Sequence, residues 1–426
     1  MAKHQHTLLR NITCPHCWQT FSPAKTLWVS ASPELLGDFR LGETEQQRFL
    51  PTRFDARGNA IDRKGFACRA IACPFCHLVI PHSQLEMPPY FISIVGAPAS
   101  GKSYFLASMT WRLRKVLPRY FLTSFVDADP QMNYRLHEYE SVQFLNDNEN
   151  QVVKINKTEE QGDLYNTVLM GDQAVTYPQP FLFSLSLLPG HVNEVNADKF
   201  AMSLCLYDNA GESYLPTKAA DNSLLPVTRH LAKSNCIFFL FDPIQDNRFR
   251  ALCRQGSNDP QLNSDYAEAG RRSPLRQEMV LAEMIKRTRT YRQLQANQRL
   301  RAPLVVVVTK LDAWRHLLPP EANFVEPWHS AQNSPSSVFL MRSIREVSKV
   351  VRELLLRETP EIISMVEQFA SDVVYVPVSA TGGSPQVDTE TGTVGFRSKD
   401  IQPIWIEVPM LYALARSTQG IIRFIE

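Results

Sequence analysis

The segment from Phe91 to Phe105 constrains the fold of this chain more than any other. A short apolar, β-rich run ends at Gly96, four residues follow, and Gly101-Lys102-Ser103 opens a helix-favouring stretch. This is the G-x-x-x-x-G-K-S spacing of a phosphate-binding loop, placed after a strand and before a helix as such a loop requires. Backbone N–H groups of the loop and the helix N-terminus would face the anion. The alternative is a Gly-Ser turn before an ordinary helix, and the combined pattern favours nucleotide binding.

Two residues of this loop have a predicted chemical role. Lys102 is expected to reach the β- and γ-phosphates of a nucleotide, and the hydroxyl group of Ser103 is expected to ligate magnesium. The other residues predicted to contact the nucleotide follow the same turn and the start of the helix: Gly96, Ala97, Pro98, Ala99, Ser100, Gly101 and Tyr104.

The composition of the chain excludes several classes of protein. Its 426 residues are enough for two domains, and 45 basic against 43 acidic residues give no overall field that favours nucleic acid or a membrane. No apolar run approaches the roughly 20 residues that span a bilayer, and the first residues lack a signal-peptide core. Eight cysteines suit a reducing compartment. We therefore expect a cytoplasmic protein without a membrane span.

Two Cys-Pro-x-Cys sequences lie within the first 88 residues. Paired C-x-x-C units can aim four thiolates at one tetrahedral centre, so Cys14, Cys17, Cys73 and Cys76 are predicted to bind zinc. About 55 residues separate the two units, which is longer than the roughly 15–20 of the common spacing. Four thiolates close the coordination sphere of zinc, so a catalytic role for this metal is not expected.

Other ligand sets are compatible with the sequence. Cys68 could take the place of Cys73, and His16 or His77 could supply a nitrogen ligand. Four buried cysteines without a metal are the remaining alternative, and the doubled Cys-Pro-x-Cys pattern favours zinc over it.

Residues 1–88 are predicted to form a zinc-ribbon-like domain, and residues 89–426 a second domain. The first segment has ten Lys/Arg against seven Asp/Glu, a net charge of +3 that is too small to argue strongly for nucleic acid. A segment of this size with few large apolar residues is expected to need a metal to fold. Protein docking and nucleic-acid binding are equal alternatives for its role. The proline-containing linker Glu86–Tyr90 ends it.

Beyond the linker, apolar runs alternate with helix-favouring stretches, which predicts an α/β fold. The predicted strands are 91–96, 120–126, 181–188, 200–207, 236–241, 305–308 and 373–378, and the predicted helices are 102–117, 224–232, 275–294, 336–357 and 409–416.

Local signals set several of these boundaries. Pro118 is expected to stop the first helix, and Ser336 or Ser337 to cap the amphipathic helix 336–357. Residues 127–178 are polar and poorly periodic, so we expect loops there, and residues 242–274 are expected to be an insertion outside the core. The connection of about a dozen mostly polar residues between runs 181–188 and 200–207 favours an antiparallel hairpin with a long loop over a crossover helix.

The second run of that hairpin is followed directly by Asp208-Asn209-Ala210-Gly211-Glu212. By itself D-x-x-G is usually a turn, but after a hairpin and a phosphate-binding loop it is typical of a nucleotide switch. Asp208 is then expected to hold magnesium, usually through water, and the N–H of Gly211 to meet a γ-phosphate.

The ends of the last two strands carry the residues predicted to select the base. Thr309-Lys310-Leu311-Asp312 follows one strand, and a carboxylate at 312 can accept from N1–H and the exocyclic amine of guanine together. Adenine cannot form that pair of hydrogen bonds, and discrimination of this kind is large. Ser379-Ala380 follows the next strand and could add a backbone N–H to the guanine carbonyl.

Taken in order, these motifs resemble the translation-factor-like class of P-loop GTPases, which includes the Ras and Rho groups. The resemblance covers about residues 89–426 and implies a mostly parallel sheet with one antiparallel hairpin strand. It also implies GTP or GDP with magnesium at Gly96–Ser103, a switch at Asp208 and Gly211, and guanine contacts from Thr309, Lys310, Asp312, Ser379 and Ala380. Thr in place of the more usual Asn at 309 is a variant of Rho-type members.

The chain departs from this class in places. The magnesium-binding switch threonine is not identifiable, and Thr176 is the first choice, followed by Thr167 and Thr158. Glu212 stands where Ras-like proteins place a water-orienting Gln, which predicts slow hydrolysis without a partner. Pro98 and Ala99 occupy positions that are often Gly, which bears on access for an activating arginine.

An arginine supplied by the chain itself would come from Arg229 or the pair Arg271-Arg272, and none is obviously placed. More loosely, a zinc ribbon joined to a GTPase with the run FLFDPIQ resembles the "double-GTPase" proteins of bacterial conflict systems.

The leading hypothesis is therefore a GTP-dependent switch or assembly protein that works with protein partners. The alternatives are an ATP-driven P-loop machine, a zinc-ribbon nucleic-acid-binding protein regulated by nucleotide, and a nucleotide-locked scaffold with negligible turnover.

Overall fold

The computed structural model describes residues 8–155, 162, 164–214, 226–262, 276–330, 335–418 and 420–426. Its largest element is a seven-stranded sheet with the strand order β2-β3-β4-β1-β5-β6-β7. The strands are β1 (Pro89–Gly96), β2 (Thr123–Asp127), β3 (Phe181–Leu187), β4 (Met202–Asp208), β5 (Cys236–Phe241), β6 (Leu304–Val308) and β7 (Val373–Pro377). The predicted α/β class is confirmed.

β3 runs antiparallel to both of its neighbours, and every other neighbouring pair is parallel. The predicted antiparallel hairpin is therefore confirmed as β3 and β4. β5 and β6 read CIFFLF and LVVVV and are buried throughout, as expected of parallel strands covered on both faces. Because β1, β4, β6 and β7 run in one direction, the four predicted motifs that follow them lie along one edge of the sheet.

Nine α-helices are described in the resolved ranges of the chain. They are α1 (Lys102–Phe121), α2 (Tyr134–Phe144), α3 (Ala197–Phe200), α4 (Asn247–Cys253), α5 (Gln277–Arg292), α6 (Leu311–Trp314), α7 (Met341–Glu358), α8 (Pro360–Phe369) and α9 (Val408–Ser417). The helix predicted over 224–232 is a 3₁₀ helix, Pro226–Ala232, in its described part. Among the described helices, none combines the length and the apolar character that crossing a membrane requires.

α1 does not stop at Pro118, so that prediction is wrong. The helix continues to Phe121, and Leu122 then adopts a left-handed conformation (φ 48°) from which its N–H donates to the carbonyl of Leu117. Leu117 and Phe121 are fully buried, and this apolar burial offsets the hydrogen bond that proline cannot donate. The next strand accordingly begins at Thr123, three residues later than predicted.

The predicted start of the amphipathic helix at Ser336 or Ser337 is also wrong. Ser337–Leu340 is a strand that pairs with Trp328–Ser330 and Phe424–Ile425, and the helix begins at Met341. A short strand rich in apolar residues is buried between two partners here, so tertiary pairing overrides the local helical pattern.

Residues 127–178 hold more regular structure than predicted. They contain α2 and an antiparallel hairpin of Tyr165–Met170 with Gln173–Pro178, called here the 165–178 hairpin. A small sheet joins Val152–Val153 to Val394–Arg397 and Gln386–Val387. The expectation of loops is therefore wrong for α2, for Val152–Val153 and for the 165–178 hairpin.

The segment predicted to be an insertion outside the core contributes to the core. Ile244, Phe249, Cys253 and Leu262 are buried in the main apolar cluster with the strands of the sheet. The prediction is thus wrong for 242–262, and the rest of it, residues 263–274, lies outside the described residues.

The N-terminal segment folds as short strands around the cysteines. A four-stranded sheet is formed by Val79–Ile80, Ile71–Ala72, Leu27–Val29 and Arg48–Phe49 in that order, and the remaining pairs are Ile12–Thr13 with Thr20–Phe21, Leu36–Asp38 with Gly42–Gln46, and Ala60–Ile61 with Ala67–Cys68. We call residues 8–88 the ribbon.

The ribbon covers one face of the large sheet. Side chains alternate between the two faces of a strand, and Phe91 of β1, Leu182 of β3 and Tyr207 of β4 lie in one apolar cluster with the ribbon cysteines. Their neighbours on these strands, such as Ile92 and Leu206, face the main core on the opposite side. The ribbon is therefore a packed layer of the molecule.

Candidate nucleotide site and cysteine cluster

The phosphate-binding loop closes around the lysine of the motif. Nζ of Lys102 donates to the carbonyl oxygens of Gly96 and Ala97, both at 3.0 Å, and the residue is 7% exposed. Gly101, just before α1, is left-handed (φ 89°), as is Ala99 (φ 60°). These turns place the ammonium group within the loop at the N-terminus of a 20-residue helix, an arrangement that suits an anion.

Two glycines of the site have no room for a side chain. A Cβ at Gly96 would lie 2.7 Å from Oγ of Ser100, and one at Gly211 would lie 2.4 Å from the backbone nitrogen of Pro98. The D-x-x-G segment thus abuts the phosphate-binding loop directly. Asp208, 4% exposed, ends β4 and pairs in register with Ile94 of β1, so its carboxylate lies beside the strand that enters the loop.

Residues that the sequence did not single out hold the 208–211 segment. The hydroxyl oxygen of Tyr165 accepts from the N–H of Ala210 at 3.1 Å. The side-chain amide of Asn209 lies 2.9 Å from Nε2 of His230. On the loop itself, Nε2 of Gln245 donates to the carbonyl of Pro98 at 3.1 Å. A Tyr in a polar stretch and a His in a short helix gave no motif that could have revealed these contacts.

The predicted switch and finger residues are placed less directly. The hydroxyl group of Thr176 lies 3.4 Å from that of Thr167 across the 165–178 hairpin, and Thr158 lies outside the described residues. Glu212 is in a short 3₁₀ helix, Gly211–Tyr214, and only its backbone is described. Arg229 is exposed.

The pair at 271–272 also lies outside the described residues. The roles proposed for these threonines, for Glu212 and for the arginines stay predictions.

The base-selecting motifs are joined to the phosphate-binding loop by hydrogen bonds. The hydroxyl group of Thr309 donates to the carbonyl of Ser100 at 3.2 Å. Asp312 accepts from the hydroxyl group of Ser379 at 2.5 Å, and the carbonyl of Ala380 accepts from Ser108 of α1 at 2.7 Å. The structure therefore brings the T-K-x-D and S-A motifs together beside the loop.

Lys310 is held by two residues that the sequence analysis did not assign to the site. Its backbone is left-handed (φ 55°), and Nζ lies 2.7 Å from a carboxylate oxygen of Asp242 and 2.9 Å from the side-chain oxygen of Gln261. Asp242 is fully buried at the end of β5. An acidic residue directly after a buried apolar strand was the signal that could have identified it.

The carboxylates around Lys310 are poorly solvated. Burial raises the pKa of Asp312, and the hydrogen bond from Ser379 and the charge of Lys310 oppose that rise. Burial also raises the pKa of Asp259 to about 6. Groups of this kind gain from a ligand that supplies N–H donors, because donors favour the ionised form.

Tyr104 turns away from the loop. Its hydroxyl oxygen accepts from the N–H of Ile155 at 2.9 Å, and its ring packs edge-to-face on Phe396. Any contact of Tyr104 with a nucleotide would therefore come from its backbone.

The four predicted zinc ligands lie together in the ribbon. Cys14 Sγ is 3.8 Å from Cys76 Sγ and Cys17 Sγ is 3.7 Å from Cys73 Sγ, and all four sulfurs lie within 4.8 Å of one another. A tetrahedron with zinc–sulfur bonds of about 2.3 Å has sulfur–sulfur edges of about 3.8 Å. All four residues are buried. The donor set and its geometry fit zinc.

The alternative ligands are engaged elsewhere. Cys68 contacts a carboxylate oxygen of Asp62 at 3.9 Å. Nε2 of His16 lies 3.0 Å from the carbonyl of Val79, and Nδ1 of His77 lies 2.7 Å from the carboxylate of Asp38. The cluster therefore consists of the four cysteines of the two C-P-x-C units.

Backbone donors support negative charge on these sulfurs. The N–H of His16 donates to Sγ of Cys14 at 3.3 Å, and that of Phe75 to Sγ of Cys73 at 3.4 Å. Burial raises the pKa of Cys14, whereas hydrogen bonds from the other three cysteines lower that of Cys73. A divalent cation bound by these sulfurs would hold them as thiolates.

No family model matches the sequence. A protein of Mycolicibacterium smegmatis, the candidate ESX-1 scaffolding and assembly protein SaeC, is 22% identical over 254 residues. The match covers 56% of this chain and 58% of the relative, so it spans little more than half the length of either protein.

Two solved structures show a distant likeness to part of the chain. An Era variant from Aquifex aeolicus bound to GDP and AlF4⁻ shares 12% identity, with 70% of this chain and 53% of that chain covered and a TM-score of 0.25. The signal recognition particle receptor SRb-GTP/SRX complex from Chaetomium thermophilum shares 15% identity, with 70% and 96% covered and a TM-score of 0.24.

The contact between the D-x-x-G segment and the phosphate-binding loop predicts the effect of Gly211→Ala. The added Cβ would overlap Pro98, so the segment must withdraw from the loop. We expect affinity for a nucleoside triphosphate to fall about tenfold or more while affinity for the diphosphate changes little, since a hydrogen bond to a charged group contributes roughly 1.5–3 kcal/mol. Titration of a non-hydrolysable triphosphate and a diphosphate measures both.

A matched control is Gly383→Ala, because a Cβ at Gly383 meets nothing within 4 Å. It should bind both nucleotides as the wild type does. Equal affinities of Gly211→Ala and wild type for the triphosphate would contradict the assignment of this segment.

The cysteine cluster predicts about one zinc ion per chain in freshly purified, reduced protein. Cys14→Ser or Cys76→Ser should lose the metal and destabilise the ribbon, because binding of a structural metal is coupled to folding. Elemental analysis with thermal unfolding measures both. Cys68→Ser is the control that should keep the metal, and wild-type protein without zinc would contradict the prediction.

Proposed function

We propose that this chain is a GTP-binding protein that hydrolyses GTP slowly and acts as a switch or assembly factor with partner proteins. The proposal is supported mainly by the hydrogen bond from the hydroxyl group of Thr309 to the carbonyl of Ser100. Because of this bond, the T-K-x-D segment with Asp312 lies next to the loop that contains Lys102. One ligand that carries both phosphates and a purine base would occupy the two loops together.

Magnesium fits the oxygen donors at this edge of the sheet. Ser103 opens α1 and the buried carboxylate of Asp208 ends the adjacent strand, and hard cations prefer such oxygen ligands. When bound, magnesium would neutralise charge on the β- and γ-phosphates. Lys102 would contact the same phosphates from inside the loop, and the backbone N–H of Gly211 would meet the γ-phosphate.

Guanine is favoured over adenine by the acceptors of the base pocket. The carboxylate of Asp312 is oriented by Ser379, and Lys310 is held by Asp242 so that its aliphatic stem can floor the pocket. Guanine presents two donors to a carboxylate in this position and adenine does not, which supports GTP rather than the ATP-driven alternative.

Slow turnover is proposed from the residue identity at 212. A carboxylate there replaces the amide that orients water in Ras-like proteins, and no arginine of the sequence is obviously placed as a finger. Unassisted GTPases turn over at roughly 10⁻⁴–10⁻² s⁻¹. A partner that supplies a positive charge would then set the rate of hydrolysis.

A protein partner is favoured over nucleic acid for the ribbon. The relative SaeC is named for scaffolding and assembly, and that name gives no support to the likeness to conflict-system proteins, which stays a prediction. The ribbon exposes large apolar side chains: Leu36, Phe39, Leu50, Phe54, Phe66 and Phe75. Exposed apolar patches commonly mark protein–protein contacts.

The division into a ribbon domain of residues 1–88 and a nucleotide-binding domain of residues 89–426 is part of this proposal, as is a cytoplasmic location.

Base specificity is tested by Asp312→Asn. The change replaces one acceptor by a donor, so guanine loses a hydrogen bond and xanthine, with a carbonyl in place of the amine, gains one. Because a hydrogen bond to a charged group contributes roughly 1.5–3 kcal/mol, the preference should shift from GTP towards XTP by about tenfold or more. Titration of GTP, ATP and XTP against both proteins measures it.

Lys102→Ala is the control for this experiment, because it should weaken the binding of all three nucleotides alike. A wild type that prefers ATP, or an Asp312→Asn variant without a shift towards XTP, would exclude the GTPase proposal even if the phosphate-binding loop binds nucleotide.

A further inference from the structure

A column of aromatic rings runs from the cysteine cluster to the D-x-x-G segment. Nε1 of Trp18, the residue after Cys17, donates to the hydroxyl oxygen of Tyr207 at 3.0 Å, and that hydroxyl group donates to the carbonyl of Pro15 at 2.5 Å. The ring of Tyr207 stacks on His230 with 4.8 Å between ring centroids and 9° between planes. All three aromatic residues are buried.

The far end of the column binds Asn209, the second residue of D-x-x-G. Its side-chain nitrogen donates to the carbonyl of Val227 at 3.0 Å, which fixes the orientation of the amide. Nε2 of His230 must then accept from the same amide at 2.9 Å, so its proton is on Nδ1 and is donated to Oγ of Ser93. Burial lowers the pKa of His230 to about 3, which agrees with a neutral ring.

Strand geometry explains why the column meets the switch here. Tyr207 and Asp208 are consecutive in β4, so their side chains point to opposite faces. Tyr207 faces the ribbon, while Asp208 ends the strand beside the phosphate-binding loop. If residues 208–211 move in response to a γ-phosphate, the contact between Asn209 and His230 must change. Either that contact breaks, or His230 and the ring stacked on it move together with Asn209.

We propose that Tyr207 and His230 are positioning residues for the 208–211 segment and that they couple its position to the knuckle formed by Cys14–Trp18. The inference rests on the proposed function, because it requires a nucleotide that acts on Asp208 and Gly211. Binding events at the ribbon and at the nucleotide site then alter each other by the same factor, as thermodynamic linkage demands.

The 165–178 hairpin gives the same coupling a second contact. Tyr177 packs edge-to-face on Trp18, with 5.9 Å between ring centroids, and Tyr165 accepts from the N–H of Ala210. The hairpin thus contacts Trp18 at one end of the column and the D-x-x-G segment beyond its other end. A partner that docks on the ribbon could in this way change how tightly nucleotide is held without touching it.

The test compares amide hydrogen exchange of the full-length protein with GDP and with a non-hydrolysable GTP analogue, in wild type and Tyr207→Phe. The variant keeps the ring stack on His230 and removes the hydroxyl group that joins Trp18 to Pro15. In wild type, exchange at residues 14–18 should differ between the two nucleotides by about fivefold or more, the lower end of typical couplings. In Tyr207→Phe the difference should shrink, together with the ratio of the two nucleotide affinities.

Tyr412→Phe is the matched control, since it also removes a buried tyrosine hydroxyl group, one that donates to the carboxylate of Asp372 at 2.9 Å. It should keep the wild-type difference at residues 14–18. The two nucleotides can also stabilise the whole chain to different extents, and such an effect would change exchange throughout the chain. The difference at residues 14–18 is therefore measured relative to that at Tyr412 and its neighbours, so that it reports the coupling.

Three results would overturn the inference. Equal exchange at residues 14–18 with both nucleotides in wild type, while both bind, excludes the coupling and leaves the proposed function standing. A difference that Tyr207→Phe retains in full excludes the column as its route. Failure of both nucleotides to bind wild type removes the proposed function and this inference together.

Discussion

The rest of the site depends on the hydrogen bonds that the buried ammonium group of Lys102 makes within its own loop. This group lies against the carbonyls of Gly96 and Ala97, and the loop can close around it only because Gly96 has no side chain. The other motifs attach to this loop: Thr309 by a hydrogen bond to Ser100, and Gly211 by direct contact. A positive charge held at a helix N-terminus in such a loop suits an anion, and we propose that a phosphate binds there.

The ribbon gives this site a second layer. Its cysteine knuckles share an apolar cluster with β1, β3 and β4, so residues far apart in the chain are packed on the reverse side of the strand that ends in Asp208. A metal that stabilises the knuckle would also stabilise the face on which Tyr207 lies. The cysteine cluster therefore lies on one face of the sheet, and the candidate nucleotide site lies at the edge where β1, β4, β6 and β7 end.

Much of the fold could be predicted because its signals are local. Apolar runs marked β5 and β6, and fixed spacings marked the loop at 96–103 and the cysteine pairs. What the sequence did not reveal depends on distant partners. The 165–178 hairpin is polar. The role of Asp242 depends on Lys310, which is distant in the sequence and whose Nζ lies 2.7 Å from the carboxylate of Asp242 in the folded chain.

The failures at helix boundaries have the same physical origin. α1 passes Pro118 because burial of Phe121 outweighs a lost hydrogen bond, and Ser337–Leu340 becomes a strand because two other strands pair with it. The most direct measurement of the central claim is calorimetric titration of the wild-type protein with GDP and with ADP in the presence of magnesium. The account predicts about one GDP bound per chain, on the order of a hundredfold or more tighter than ADP. Tighter binding of ADP, equal binding of both, or binding of neither would contradict it.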